Sequence, residues 1–215
     1  MRMVRWLASG LALVALAPSA SSAQGGRLFN DSWFWGLNAG AMSFSTATVS
    51  NQVAPVVNAE WFITRTRGGL YLSVGQAFFT ANAAVTDNLG TPYNVQIKDM
   101  TQVMADVIAL PIAWGGIHLY AGAGFMMNLS HQATITDTIL NPNVKDQVQH
   151  NLNEQKDGIQ FNILVGVHAQ LKRVAIFGNF IYMPTPSQFI LNGRAAYLLE
   201  GGVRLNFGPS ADSGH

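Results

Sequence analysis

Ile159-Gln160-Phe161-Asn162-Ile163-Leu164-Val165-Gly166-Val167-His168-Ala169-Gln170-Leu171 is apolar at every odd position, with Gln, Asn, Leu, Gly, His and Gln at the even ones. Successive side chains of a β-strand point to opposite faces, so this stretch has one greasy face and one mostly polar face. Its length suits a tilted strand crossing a bilayer, which takes about 9–11 residues. Segments 33–44, 53–64, 69–80, 99–112, 117–129, 174–183 and 195–207 alternate in the same way. The last puts Tyr197, Leu199, Val203, Leu205 and Phe207 on one face and Glu200, Gly202, Arg204 and Asn206 on the other. The least regular is 69–80, where Gln76 falls on the apolar parity and a bulge or register change is expected.

Tight and long connections alternate along the chain. Tight ones are expected at 65–68, 113–116 and 172–173, and long polar ones at 45–52, 81–98, 130–156 and 184–194. An even-stranded antiparallel barrel in an outer membrane has this asymmetry, with short periplasmic turns and longer external loops. Trp33, Trp61, Trp114 and Phe207 fall near the tight-turn rim, and Phe78, Tyr182 and Tyr197 toward the other. Two aromatic girdles are expected where rings sit at headgroup level.

Composition agrees. Charged residues are 11% of the 215-residue chain, against about 25% in a typical soluble domain. Cysteine is absent, so there is neither a disulfide framework nor a cysteine metal site. Arg2 and Arg5, an apolar run from Leu7 to Ala17, Pro18 and Ser21-Ser22-Ala23 read as a signal peptide over 1–23. Without it, ten basic residues face 11 acidic ones, a formal charge near −1 that argues against a nucleic-acid partner. No later run is long and apolar enough for a transmembrane helix. A closed barrel is the other structure that satisfies every backbone group in lipid. The expected organisation is an N-terminal periplasmic segment over 24–32, an all-β, eight-stranded antiparallel up-and-down barrel over 33–207, and a short tail over 208–215.

The final strand carries the most specific motif. Glu200-Gly201-Gly202-Val203-Arg204-Leu205-Asn206-Phe207 has the form polar-x-Gly-x-x-hydrophobic-x-aromatic. In this, and in its pattern over about 30–207, the chain resembles the small eight-stranded outer-membrane barrels of the OmpX and OmpA-transmembrane type. The resemblance implies an assembly signal at Glu200, Gly202, Leu205 and Phe207, read by the barrel-assembly machinery, and outer-membrane lipids as surroundings. The family often ends at the aromatic residue, whereas here Gly208-Pro209 leads on to His215. That tail is expected to be too short for a peptidoglycan-binding domain.

Parity places Glu60, Asp106, Glu200, Arg204, His118 and His168 on the lumen face, all in the tight-turn half. Charges at membrane depth need partners, and an eight-stranded barrel is just wide enough for its side chains to fill the interior. The six are therefore expected to touch and form a polar plug that fixes strand register, rather than an ion path. Arg204 is the one permanent base among three carboxylates, so protonation or water must balance the rest. Gly36, Gly40, Gly122, Gly124, Gly166 and Gly202 share the lumen parity. They either leave room for neighbours such as Phe34, Tyr120 and Phe177 or mark strand bends.

No catalytic, cofactor or metal residues are expected. His131 follows Ser130 directly, but adjacent strand residues face opposite ways. His118, His131, His150, His168 and His215 match no lipid-modifying motif. Asp137, Asp146, Glu154, His131 and His150 in 130–156 match no calcium or zinc spacing and read as a solvated loop. Asn128-Leu129-Ser130 is a chance glycosylation match. The expected role is structural or surface-interacting, through an external partner at the loops. Alternatives are a narrow pore, a lipid-modifying enzyme, or a soluble lipocalin-like carrier with the alternation turned inside out.

Overall fold

A computed structural model describes residues 29–184, 190–191 and 194–209. The signal peptide at 1–23, most of the N-terminal segment, parts of 184–194 and most of the tail, including His215, lie outside the described residues. Eight strands appear in order: β1 (Ser32–Phe44), β2 (Gln52–Thr64), β3 (Gly68–Thr86), β4 (Pro92–Trp114), β5 (Ile117–Ile135), β6 (Gly158–Leu171), β7 (Val174–Met183) and β8 (Ala196–Pro209). Each pairs antiparallel with the next, and β1 closes on β8 to make a barrel. Closure removes the edge strands from the barrel itself, and above Ala77 on β3 and Asn128 on β5 pairing continues only through β4.

Along β6 the burial alternates without a break. Phe161, Val165 and Leu171 face out, while Gln160, Asn162, Leu164, His168 and Gln170 face in. Up to Phe78 on β3 and Met100 on β4, the outward faces of the eight strands form a continuous, mainly apolar belt with no Asp, Glu, Lys or Arg among the described residues: Leu37 and Val107 are each 72% exposed within it. Trp35 stacks on Trp61 at 5.2 Å, with Trp33 edge-on to Trp61 at 5.4 Å, at the tight-turn rim. Phe180, Tyr182 and Tyr197 cluster toward the other rim. Lys172 and Gly115 supply the positive φ of two of the tight turns, at 61° and 59°.

Two expected loops are ordered instead. Residues 81–98 are not a loop: β3 runs to Thr86, β4 starts at Pro92, and the turn between them closes on Asp87, whose carboxylate accepts from Leu89 and Thr91 N–H at 2.9 Å each. Residues 130–156 are not a plain solvated loop either. β5 continues to Ile135, and a helix, α1 (Pro142–Gln155), follows, capped by Asn141 with Pro142 in its first turn. Above Phe78 the patterning inverts. Ala81, Ala83, Val85, Val95 and Ile97 are buried inside, while Thr80, Asn82, Gln96 and Lys98 face out. The outer wall thus changes from apolar to polar while the strands continue. Val148 and Leu152 of α1 are fully buried, Leu152 within this interior, and Asn151 bonds the Thr86 carbonyl at 2.8 Å.

The irregularity expected around Gln76 lies two residues on. The β3–β4 register shifts between Ala77 and Thr80. There Asp99, at φ 52°, accepts the Phe79 N–H at 3.0 Å. Gln76 itself stays in register opposite Thr101 and accepts the Thr101 hydroxyl at 3.0 Å, which makes a polar residue tolerable on the belt.

Candidate functional site

The barrel interior at the tight-turn end is built around Gly36. In register, Gly36 on β1 lies between Glu60 on β2 and Arg204 on β8. A Cβ there would come within 2.6 Å of Glu60 Oε1 and 3.0 Å of Arg204 Cγ. Its absence lets the two charges meet across β1. Arg204 Nε donates to Glu60 Oε1, and Nη2 donates to Oε2 at 3.3 Å. The fork matches the carboxylate geometrically, the strong form of such a pair. Neither side chain is exposed.

Glu60 Oε2 also accepts from Asn38 at 3.3 Å and lies 2.8 Å from the Tyr71 hydroxyl. The same hydroxyl lies 2.9 Å from Glu200 Oε1, so one phenolic proton bridges two carboxylates. Asn58 and Asn179 each donate to Glu200 at 2.8 Å, and Tyr120 donates to Asn179. Aromatic rings surround the guanidinium, with the Phe177 centroid 3.7 Å and the Phe62 centroid 4.5 Å from its central carbon. Cation–π attraction strengthens when such a site is desolvated.

Arg204 Nη1 is 3.3 Å from His168 Nδ1. Arginine only donates, so Nδ1 accepts and the proton sits on Nε2, which reaches Gln170 Oε1 at 2.7 Å. His118 stands beside this network. Phe29 stacks on its ring at 3.7 Å and meets His168 edge-on at 4.8 Å. Phe29 is fully buried, held by the Thr64 hydroxyl donating to its carbonyl. It closes the tight-turn mouth from the N-terminal side.

The structure therefore brings Glu60, Glu200, Arg204 and His168 into one bonded network, with His118 in ring contact. Asp106 does not join it: it lies on the β4–β6 wall and bonds Asn162 at 2.6 Å. Tyr71, Tyr120, Asn38, Asn58 and Asn179 were missed as members, although inward parity and polarity marked them. Phe29 gave no such signal, since it precedes the first alternating segment.

The lumen is not polar throughout. Toward the long-loop end it is filled by Met42, Phe44, Val56, Met100, Met126 and Leu198, all buried. Gly166 lies against the Tyr120 ring, the space-making role weighed for the inward glycines. Of the assembly-motif residues, Glu200 and Gly202 face the lumen, and Leu205 and Phe207 face out.

The titratable residues of 130–156 are dispersed. His131 Nε2 meets Thr101 Oγ1 at 2.7 Å, Asp137 accepts the Asn94 N–H at 2.7 Å, and His150 pairs with Glu154 at 3.3 Å. Among the described residues no three His, Cys, Asp or Glu gather as metal ligands would.

No protein-family model matches the chain, and no curated protein matches it. Solved structures do. The crystal structure of Neisserial surface protein A is similar at TM-score 0.54 and 12% identity, over 81% of this chain and 97% of that one. The N-terminal β-barrel domain of Pseudomonas aeruginosa OprF is 12% identical over 83% and 98%, at TM-score 0.44. Ail of Yersinia pestis, in complex with the heparin analogue sucrose octasulfate, is 10% identical over 82% and 99%, at TM-score 0.44. The fold is that of the small eight-stranded outer-membrane barrels.

Proposed function

From that fold, we propose that this chain sits in the outer membrane and uses the part beyond its apolar belt to contact another surface. The carrying observation is the inversion above Phe78. Strands β3, β4 and β5 continue past the belt with polar outer faces and an apolar interior capped by α1. This is a second, water-facing core, and a membrane anchor alone has no use for it. At its tips Leu89 and Leu140 are each 90% exposed. Apolar side chains held out on an ordered scaffold suit a partner with an apolar patch.

On this reading the tight turns lie on the periplasmic side, and outer-membrane lipids surround the belt. The motif Glu200, Gly202, Leu205 and Phe207 serves the assembly machinery before closure, since Glu200 is later buried in the lumen network. A narrow pore fits less well. Arg204, Phe62, Phe177 and Phe29 occupy the lumen at one end and methionines at the other. A lipid-modifying role is also disfavoured, because His118 and His168 are enclosed rather than rim-facing.

The test pairs Leu89→Asp with Leu140→Asp in cells expressing the protein. Attachment of those cells to a cell or matrix surface is expected to fall to the level of non-expressing cells, with the barrel still heat-modifiable on gels. Unchanged attachment by correctly folded double variant would refute the role.

A further inference from the structure

An open nook of about 240 Å³ lies at the long-loop end of the β1–β8 seam. Its polar lining comes from Ser43 at the end of β1, Ser45 and Asn51 in the connection to β2, and Arg194 just before β8, with Tyr197 alongside. The register fixes its height. Ser43 pairs with Val53 on one side and Tyr197 on the other. Val53 is exposed on the outer face, and Tyr197 belongs to the aromatic cluster with Phe180 and Tyr182. The nook therefore sits at the upper margin of the apolar belt, the level at which lipid headgroups meet aromatic rings.

The lining offers donors and no counter-charge. Arg194 is exposed, and among the described residues no ion pair reaches it. No carboxylate lines the nook. Ser45 Oγ accepts the Asn51 N–H at 3.0 Å, which leaves its own proton to donate.

We propose that Arg194, with Ser43 and Ser45, holds the phosphate of a lipid headgroup in the outer leaflet. A guanidinium presents paired N–H groups that match two phosphate oxygens, and the serine hydroxyls meet the others. A carboxylate has only two oxygens and would leave those hydroxyls unused. Position selects the source. A lipid phosphate arrives at this height with its acyl chains already beside Val53 and the belt, so it loses less freedom on binding than phosphate from solution. The site rests on the outer-membrane reading above, but not on Leu89 or Leu140.

The test is native mass spectrometry of the full chain, refolded in neutral detergent with dioleoyl phosphatidic acid or with dioleoylglycerol, which has the same chains and no phosphate. The wild type is expected to retain one phosphatidic acid, about fivefold more often than the diacylglycerol. Arg194→Gln should bring both lipids to the same level. Lys98→Gln, on the outer wall of β4, should leave the preference unchanged. Equal retention of both lipids by the wild type, or equal loss of preference in both variants, would overturn the site. Displacement of the lipid by millimolar inorganic phosphate would overturn the lipid assignment. A chain that stays in solution without detergent would instead defeat the membrane reading itself.

Discussion

Replacing Arg204 by methionine keeps most of its length and its contact with Phe177 but removes the charge that Glu60 faces. Both partners of this ion pair are fully enclosed. Removing one member of a buried pair typically costs about 3–5 kcal/mol, because the survivor is left as an uncompensated buried charge. Here the neighbourhood worsens the loss. Tyr71 has one proton for two carboxylates, and Glu200 gains nothing to offset it. Arg204→Met should therefore lie near the upper part of that range. Adding Glu60→Gln removes the stranded charge while keeping an acceptor for Asn38. The double variant should recover about 1–3 kcal/mol relative to Arg204→Met, the usual size of coupling between residues in contact. Urea unfolding in lipid vesicles, followed by the fluorescence of Trp33, Trp35, Trp61 and Trp114, measures each variant. If Arg204→Met falls within about 1 kcal/mol of wild type, or the double variant is as unstable as the sum of the singles, Arg204 is not the organising charge of the lumen.

Gly36→Ala places a methyl within 2.6 Å of Glu60 Oε1 and should destabilise by about 1–3 kcal/mol in the same urea assay. Gly178→Ala, whose nearest neighbour would be 3.7 Å away, should be tolerated. Phe29→Ala removes the ring stacked on His118. It should cost about 3–5 kcal/mol and make His118 reactive to diethyl pyrocarbonate in the folded barrel. The Asn94 N–H holds the Asp137 carboxyl below its ordinary value of 3.8. Because the folded value is depressed, its stabilisation is present above the unfolded value and is lost as pH falls through the folded one. The Asp137 carboxyl carbon should titrate below the midpoint of an unfolded control in NMR, and equal midpoints would remove the interaction.

The barrel was legible because β6 keeps one environment on each face from end to end. Alternation then reports burial directly, and the tight connections at 65–68, 113–116 and 172–173 mark where strands pair in hairpins at one end of the barrel. Residues 81–98 were not legible because the outward face changes from apolar to polar above Phe78. Phe78-Phe79 breaks the alternation, and beyond it the apolar parity belongs to the interior, so one long hairpin reads as the end of one strand and the start of another. Helix α1 was missed because Val148 and Leu152 are its only fully buried residues, too few to give a helical period among Asn, Gln and Lys. The lumen charges were readable by parity, but their grouping was not. Asp106 shares the parity of Glu60 yet sits on another wall, and only the register of β4 with β5 and β6 separates them. Phe29 enters the lumen by its position before β1, which no periodicity reports.

The central claim is that the outward apolar faces meet lipid while the inverted upper walls meet water. The chain has no cysteine, so single cysteines can be placed at Val165 and Val203 on the belt and at Asn82 and Thr134 above it. Labelling of the native membrane with a membrane-impermeant maleimide reads both. The account predicts modification at Asn82 and Thr134 and protection at Val165 and Val203 until the membrane is dissolved and the barrel unfolded. Rapid labelling at all four positions in the native preparation would contradict it.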